Sequence, residues 1–271
     1  MPFPESQRVV YKKNPLSQVI AQLQFPPVLS IAAAEPAVFQ ERIRASYPLY
    51  LQESAVVPPA EVANLLNRLN LTPPLSAMRH VFSTEDERRA ASLARDFLAL
   101  EDKKYWHWEE FRREMALLQQ ALEDTYHPAF YSRVGLRYVD IINRRALGLP
   151  QAEWASLINP TLLGLLGDPQ LRQEVGESVS VTTLAVPEIH GGTIRLRHGL
   201  RAIDANDASR ELAYTIDVDL FTQERTSAND VAGTLDVFNR VAGNLFRWAI
   251  TSELSQALEP KPLAPVEATV T

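Results

Sequence analysis

Two stretches of alternation, "TIRLRHGLRA" at 193–202 and "LAYTIDVDLF" at 212–221, constrain this chain more than any other feature. Ile194, Leu196, His198 and Leu200 share one side of the first stretch, and Arg195, Arg197 and Arg201 share the other. In the second, Leu212, Tyr214, Ile216, Val218 and Leu220 oppose Thr215, Asp217 and Asp219. Successive side chains of a strand point to opposite faces, so each stretch predicts a strand with one buried and one polar face. If the two pair as a hairpin through "IDANDAS", their apolar faces must coincide. The arginines then lie across the ladder from the aspartates.

Other stretches predict the same kind of structure. In "QVIAQLQF", Val19, Ala21, Leu23 and Phe25 alternate with glutamines. "EPAVFQERIRASYP" places Pro36 in a first helical turn and a stripe at Phe39, Ile43 and Tyr47. "AEVANLLNRLNL", within the Pro-flanked 58–74, reads as a short surface helix or lid. "RHVFS" and "RAASLARDFLALED" read as a hairpin around "TEDER". Trp108, Phe111, Met115, Leu118 and Leu122 recur at alternating steps of three and four, one face of a long helix that His127–Pro128 ends.

Beyond it, "YSRVGLRYVDII" predicts a strand. "QAEWASLINPTLLGLL" predicts helix interrupted at Asn159–Pro160, and "ESVSVTTLAVPE" a further strand. A final helix is predicted from about 228 to about 256, opened by Ser227-x-x-Asp230 as a capping box. Its stripe is Val231, Leu235, Phe238, Ala242, Leu245 and Ala249. The Pro-rich 259–271 predicts a disordered tail.

The order strand, helix, about three strands, long helix thus occurs twice, over 1–128 and 129–258. This predicts an α+β fold of two similar halves packed as one unit, with antiparallel sheets covered by helices on one face. The TBP-like and helix-grip folds are geometric analogies for that plan and carry no function with them.

"YKKNPLSQVIAQLQF", "YWHWEEF", "RVGLRYVDIINR", "IDVDLF" and "LFRWAITSEL" together resemble a sporadically distributed bacterial family of about this length, in the same order along the chain. The resemblance implies a single-family protein over nearly the whole length. No established activity comes with it, so it implies no catalytic residue. Asn14 and Gln18 stand where the family pattern has proline and glutamate, so no carboxylate role carries over there.

The charged strand face has two readings. In one it is a solvated surface laced with cross-strand ion pairs, each worth about 0–1 kcal/mol. In the other, Arg133 and Arg137 join Arg195, Arg197, Arg201, Asp217 and Asp219 in a polar groove between the halves. There the guanidiniums would take carboxylate or phosphate groups bidentately while the aspartates orient them. Asp217 and Asp219 also admit a metal-binding or acid–base reading, although no further carboxylate is placed beside them.

His198, on the apolar parity, reads as a core histidine. His190 reads as exposed in a turn, and His80, His107 and His127 stand near element ends. Trp108 belongs to the helix stripe. Trp106 reads as a seal on the sheet edge, with base or ligand stacking by either tryptophan as the alternative.

No phosphate loop, nucleophile elbow, dinucleotide fingerprint or metal-ligand spacing is present, so no cofactor, metal site or catalytic residue is assigned. A formal net charge of −6 argues against bulk electrostatic gripping of nucleic acid. There is no cysteine, which excludes disulfides and thiolate chemistry and fits a reducing compartment. No apolar run has the length of a membrane span or the form of a signal peptide, so a cytoplasmic protein without membrane contact is expected.

The expectation is a non-enzymatic binding or interaction protein whose partner is another protein or an anionic small molecule. The alternatives are an enzyme acting on an anionic substrate through Asp217, Asp219 and the arginines, or a nucleic-acid-associated factor of bacterial defence or a mobile element.

Overall fold

The computed structural model describes residues 3–54, 78–202 and 211–262. The helix expected within 58–74, the "IDANDAS" turn and residues 263–271 of the expected tail lie outside the described residues. In chain order the elements are β1 (Val9–Tyr11), β2 (Leu16–Gln24), α1 (Leu29–Ala33), α2 (Ala37–Ile43), β3 (Leu49–Ser54), β4 (Met78–Ser83), β5 (Arg89–Ala94) and β6 (Phe97–Asp102). There follow α3 (Trp108–Tyr126), β7 (Arg133–Ile142), α4 (Trp154–Leu157), α5 (Pro160–Leu163), β8 (Ser180–Ala185), β9 (Thr193–Ala202) and β10 (Leu212–Thr222). Last come α6 (Val231–Ala249), α7 (Ser252–Ala257) and β11 (Pro260–Pro262). The class is α+β with antiparallel pairing. No helix among the described residues is long and apolar enough to cross a membrane.

The chain divides into two compact units that interleave in sequence. One holds Val19–Leu136 and Thr222–Leu235, and the other holds Met1–Gln18, Arg137–Phe221 and Asp236–Thr271. The division does not fall near residue 128, because β2, β7 and α6 each give residues to both units.

In the first unit, β3, β4, β5, β6 and β2 lie side by side in that order. Val19, Ala21 and Leu23 of β2 are buried, as are Leu93, Leu98 and Leu100 of the neighbouring strands. The α3 stripe of Phe111, Met115, Leu118 and Leu122 is buried with them, and α3 packs on α2 and β6. Each such side chain contributes about 1.5–3 kcal/mol through burial.

The start of α3 is also clamped by charge. Arg89 is 8% exposed; its Nε donates to Asp102 at 2.8 Å, and it reaches Glu110 and, at 3.6 Å, Glu114. Glu114 in turn accepts from the Tyr47 hydroxyl at 2.9 Å.

The second unit carries the strand order β7, β10, β9, β8. Ile194, Leu196 and Leu200 of β9, and Tyr214, Ile216, Val218 and Leu220 of β10, are buried. Phe238, Val241 and Leu245 of α6 are buried as well. The short helices join this face, since the Tyr214 hydroxyl donates to the Leu162 carbonyl and its ring lies 5.8 Å from Trp154. The opposite face of the strands carries the charges.

Four expectations are corrected. The stretch "RAASLARDFLALED" is two strands, because the chain reverses at Arg95–Asp96 and β5 pairs with β6. The final helix is not continuous. Ile250 bridges to Ile158, and Asn159 takes the carbonyls of Trp248 and Ala249, so α6 ends and Thr251 caps α7 afresh.

Ser227 does not act as a capping-box residue toward a backbone N–H. Its hydroxyl donates to the Asp230 carboxylate at 2.6 Å, and a short 3-10 turn, Ala228–Asp230, precedes α6. Finally, Pro260–Pro262 of the expected disordered tail pairs with β1, where Lys12 and Lys13 bracket Glu259.

Candidate functional site

Parity fixes the arginine face. The β9–β10 ladder runs unbroken from Thr193↔Phe221 to Ala202↔Leu212, so Arg197 faces Asp217 and Arg195 faces Asp219. The next strand, β7, brings Arg137 onto the same face. Its Nε and Nη2 donate to the two oxygens of Asp217, each at 2.7 Å. These bonds also raise the guanidinium's pKa against the opposing effect of burial. Arg197 Nη1 reaches Asp217 at 3.4 Å, the longest of the three contacts. Asp217 is 13% exposed, Arg197 26% and Arg137 38%, so the group is screened by solvent on one side. The Arg195 guanidinium lies 5.5 Å from the Phe221 ring centroid.

The structure brings together Arg137, Arg195, Arg197, Asp217 and Asp219 on this face, all in the second unit. Two expected members are not brought into the group. Arg133 belongs to the first unit, where it donates to Gln22 at 3.0 Å and its guanidinium lies over Gly135. Arg201 is exposed and faces Ala213 in the ladder, so no carboxylate stands opposite it.

Asp140 is the residue that the sequence reading left out. It lies on β7 at the parity of Val134, Leu136, Tyr138 and Ile142, and is 4% exposed. Burial pushes its carboxyl well above the ordinary range, and the negative charge of Asp217 pushes the same way. A carboxylate in an otherwise apolar parity was the available signal.

His190 is exposed, and the other four histidines hold structural positions. The Tyr214 hydroxyl gives its proton to the Leu162 carbonyl, so His198 Nδ1, 2.8 Å away, must carry a proton and donate to the phenol oxygen. Burial lowers the His198 pKa and keeps the imidazole neutral. His80 is buried between the Tyr50 hydroxyl and the Ile31 carbonyl. The His107 side chain accepts from the Glu110 N–H at the start of α3, and His127 ends that helix in a left-handed conformation. Trp108 is core, whereas Trp106 is 51% exposed. Among the described residues no three His, Asp or Glu side chains are placed to hold a metal ion.

No family model matches the chain, and no curated protein does.

Proposed function

We propose that this chain is a non-enzymatic binding protein that takes an anionic group, carboxylate or phosphate, on the arginine face of β7, β10 and β9. The reading rests on the unequal contacts to Asp217. Arg137 already satisfies both carboxylate oxygens at 2.7 Å, so Arg197, at 3.4 Å, can turn away without stranding a partly buried charge. Arg197 is then the guanidinium that meets the anion, and Arg137 with Asp217 is the fixed base beside it. Three guanidiniums, of Arg137, Arg195 and Arg197, against two carboxylates, of Asp217 and Asp219, leave a surplus of one positive charge.

The same geometry disfavours an acid–base or metal role for Asp217, whose oxygens are committed to Arg137. Interleaving of arginines with carboxylates favours recognition at a point over tracking of a phosphate backbone, which needs an accumulation of positive charge. A cytoplasmic setting belongs to this proposal and is supported by the cysteine-free composition.

Citrate, a compact tricarboxylate, is a suitable probe by calorimetry. Arg197→Ala should weaken its binding at least about tenfold, equivalent to about 1.4 kcal/mol, while Arg201→Ala leaves it unchanged. Absence of citrate and phosphate binding to the wild-type chain, or equal loss in both variants, would overturn the assignment.

A further inference from the structure

The geometry points to the outer edge of β8 as a docking site for an extended acidic polypeptide segment, which adds a strand beside the arginine face. This rests on the anion-binding reading above and names the partner for it.

Strand β8 ends the strand order, and among the described residues no strand pairs with its outer edge. Ser180, Val181, Thr182, Thr183 and Ala185 are all exposed, so neither face of the strand is covered as its neighbours are. Edge strands are ordinarily guarded by charge, proline or a bulge. Ser180–Ala185 contains no charged residue and no proline, and its register with β9 is regular.

The outward-facing backbone groups can be named. Ser178 N–H bonds the Leu200 carbonyl and Val186 N–H bonds the Gly192 carbonyl, so even-numbered residues form the hydrogen-bonded pairs with β9. In an antiparallel ladder the intervening residues direct N–H and C=O the other way. Val181, Thr183 and Ala185 therefore present donors and acceptors to an incoming strand.

The side chains of those three residues lie on the charged face. Val181 is in register with Arg197 and Thr183 with Arg195. An added strand would run about 10 Å from β9, two strand spacings away. A glutamate on its matching face and an arginine on β9 together span that gap. Arg197 is the arginine able to turn outward, since Arg137 keeps Asp217 satisfied. Charge complementarity on one face, with free backbone at the edge, selects an acidic extended segment over a neutral or basic one.

The test uses the full chain, isotopically labelled, with a short peptide alternating glutamate and threonine. Amide exchange should slow at Val181, Thr183 and Ala185 on adding the peptide. The same peptide N-methylated at alternate residues, or with lysine for glutamate, should bind at least about tenfold more weakly. Val181→Pro removes one outward donor on an edge strand, where proline is tolerated. It should abolish the peptide effect yet keep the response of Arg197 to inorganic phosphate, and Thr183→Pro is the second variant should the first not fold.

If phosphate still moves Arg197 but the peptide never protects the outward β8 amides, this inference fails and the anion reading stands. If phosphate has no effect either, both fail. Protection of those amides that rises with protein concentration and needs no peptide would identify a second copy of this chain as the occupant and overturn the inference.

Discussion

Asp140→Asn should change how stability depends on pH, and the sign follows from where the carboxyl sits. In the unfolded chain this group titrates near about 3.9, whereas burial and Asp217 raise it well above that in the folded protein. Between the two values the folded state holds a proton that the unfolded state has released. The Asp140 contribution to wild-type stability must therefore fall as pH rises across this window, by about 1.4 kcal/mol per pH unit.

Asparagine cannot titrate, so the stability of the variant relative to wild type should rise along the same slope and level off once Asp140 ionises in the folded state. A constant offset from the changed hydrogen bonding leaves the slope untouched. Urea denaturation of both proteins at stepped pH from about 4 to 8 measures the difference, with all shared titrations cancelling. Asp217→Asn removes the second push on Asp140 and should bring the levelling-off to lower pH. A difference that stays flat with pH would show that Asp140 is ionised throughout, and the account of its burial would be refuted.

Three further substitutions test the packing within the two units. Phe238 is fully buried, and Phe238→Ala should cost about 3–5 kcal/mol in denaturation; a cost under about 1 kcal/mol would place that face of α6 outside the core. An added Cβ at Gly199, where φ is +149°, would stand 2.0 Å from the Ser178 carbonyl oxygen. Gly199→Ala should therefore cost about 1–3 kcal/mol and speed amide exchange at Ser180, Thr182 and Leu184, and unchanged exchange there would contradict the close approach. Arg89→Leu removes the Nε donor to Asp102 but leaves that carboxylate, 1% exposed, with Arg88 at 3.2 and 3.3 Å and the Lys104 N–H at 2.8 Å. It should destabilise by about 1.5–3 kcal/mol, whereas a neutral result would mean that Arg88 and Lys104 satisfy Asp102 by themselves.

Much of this was legible in the sequence where the controlling contact was local or periodic. Alternation in β9 and β10 set which residues share a face and so put arginines and aspartates on the same one, whereas which arginine meets which aspartate came from the register of the ladder. The stripes of α3 and α6 were readable for the same reason. The misses share a different cause. Nothing local marks the turn at Arg95–Asp96, which lacks a glycine or asparagine.

The end of α6 is decided by Asn159, far away in sequence, while the apolar stripe gives no hint of a stop. Arg89 opens "RAASLARDFLALED" directly after "TEDER", and nothing local marks its burial, since its partners Asp102, Glu110 and Glu114 lie on two later elements. "SVTTLA" has strong strand character, but period alone cannot show that a strand lies at an edge with both faces open. Asp140 was readable as an acid at a buried parity, and its weight became clear only with its exposure.

The most direct test of the central claim follows the guanidinium Nε–H resonances of Arg137 and Arg197 by NMR during a phosphate titration. The account predicts that Arg197 shifts saturably while Arg137, held by both oxygens of Asp217, stays in place. Equal movement of the two, or movement of Arg137 alone, would contradict it.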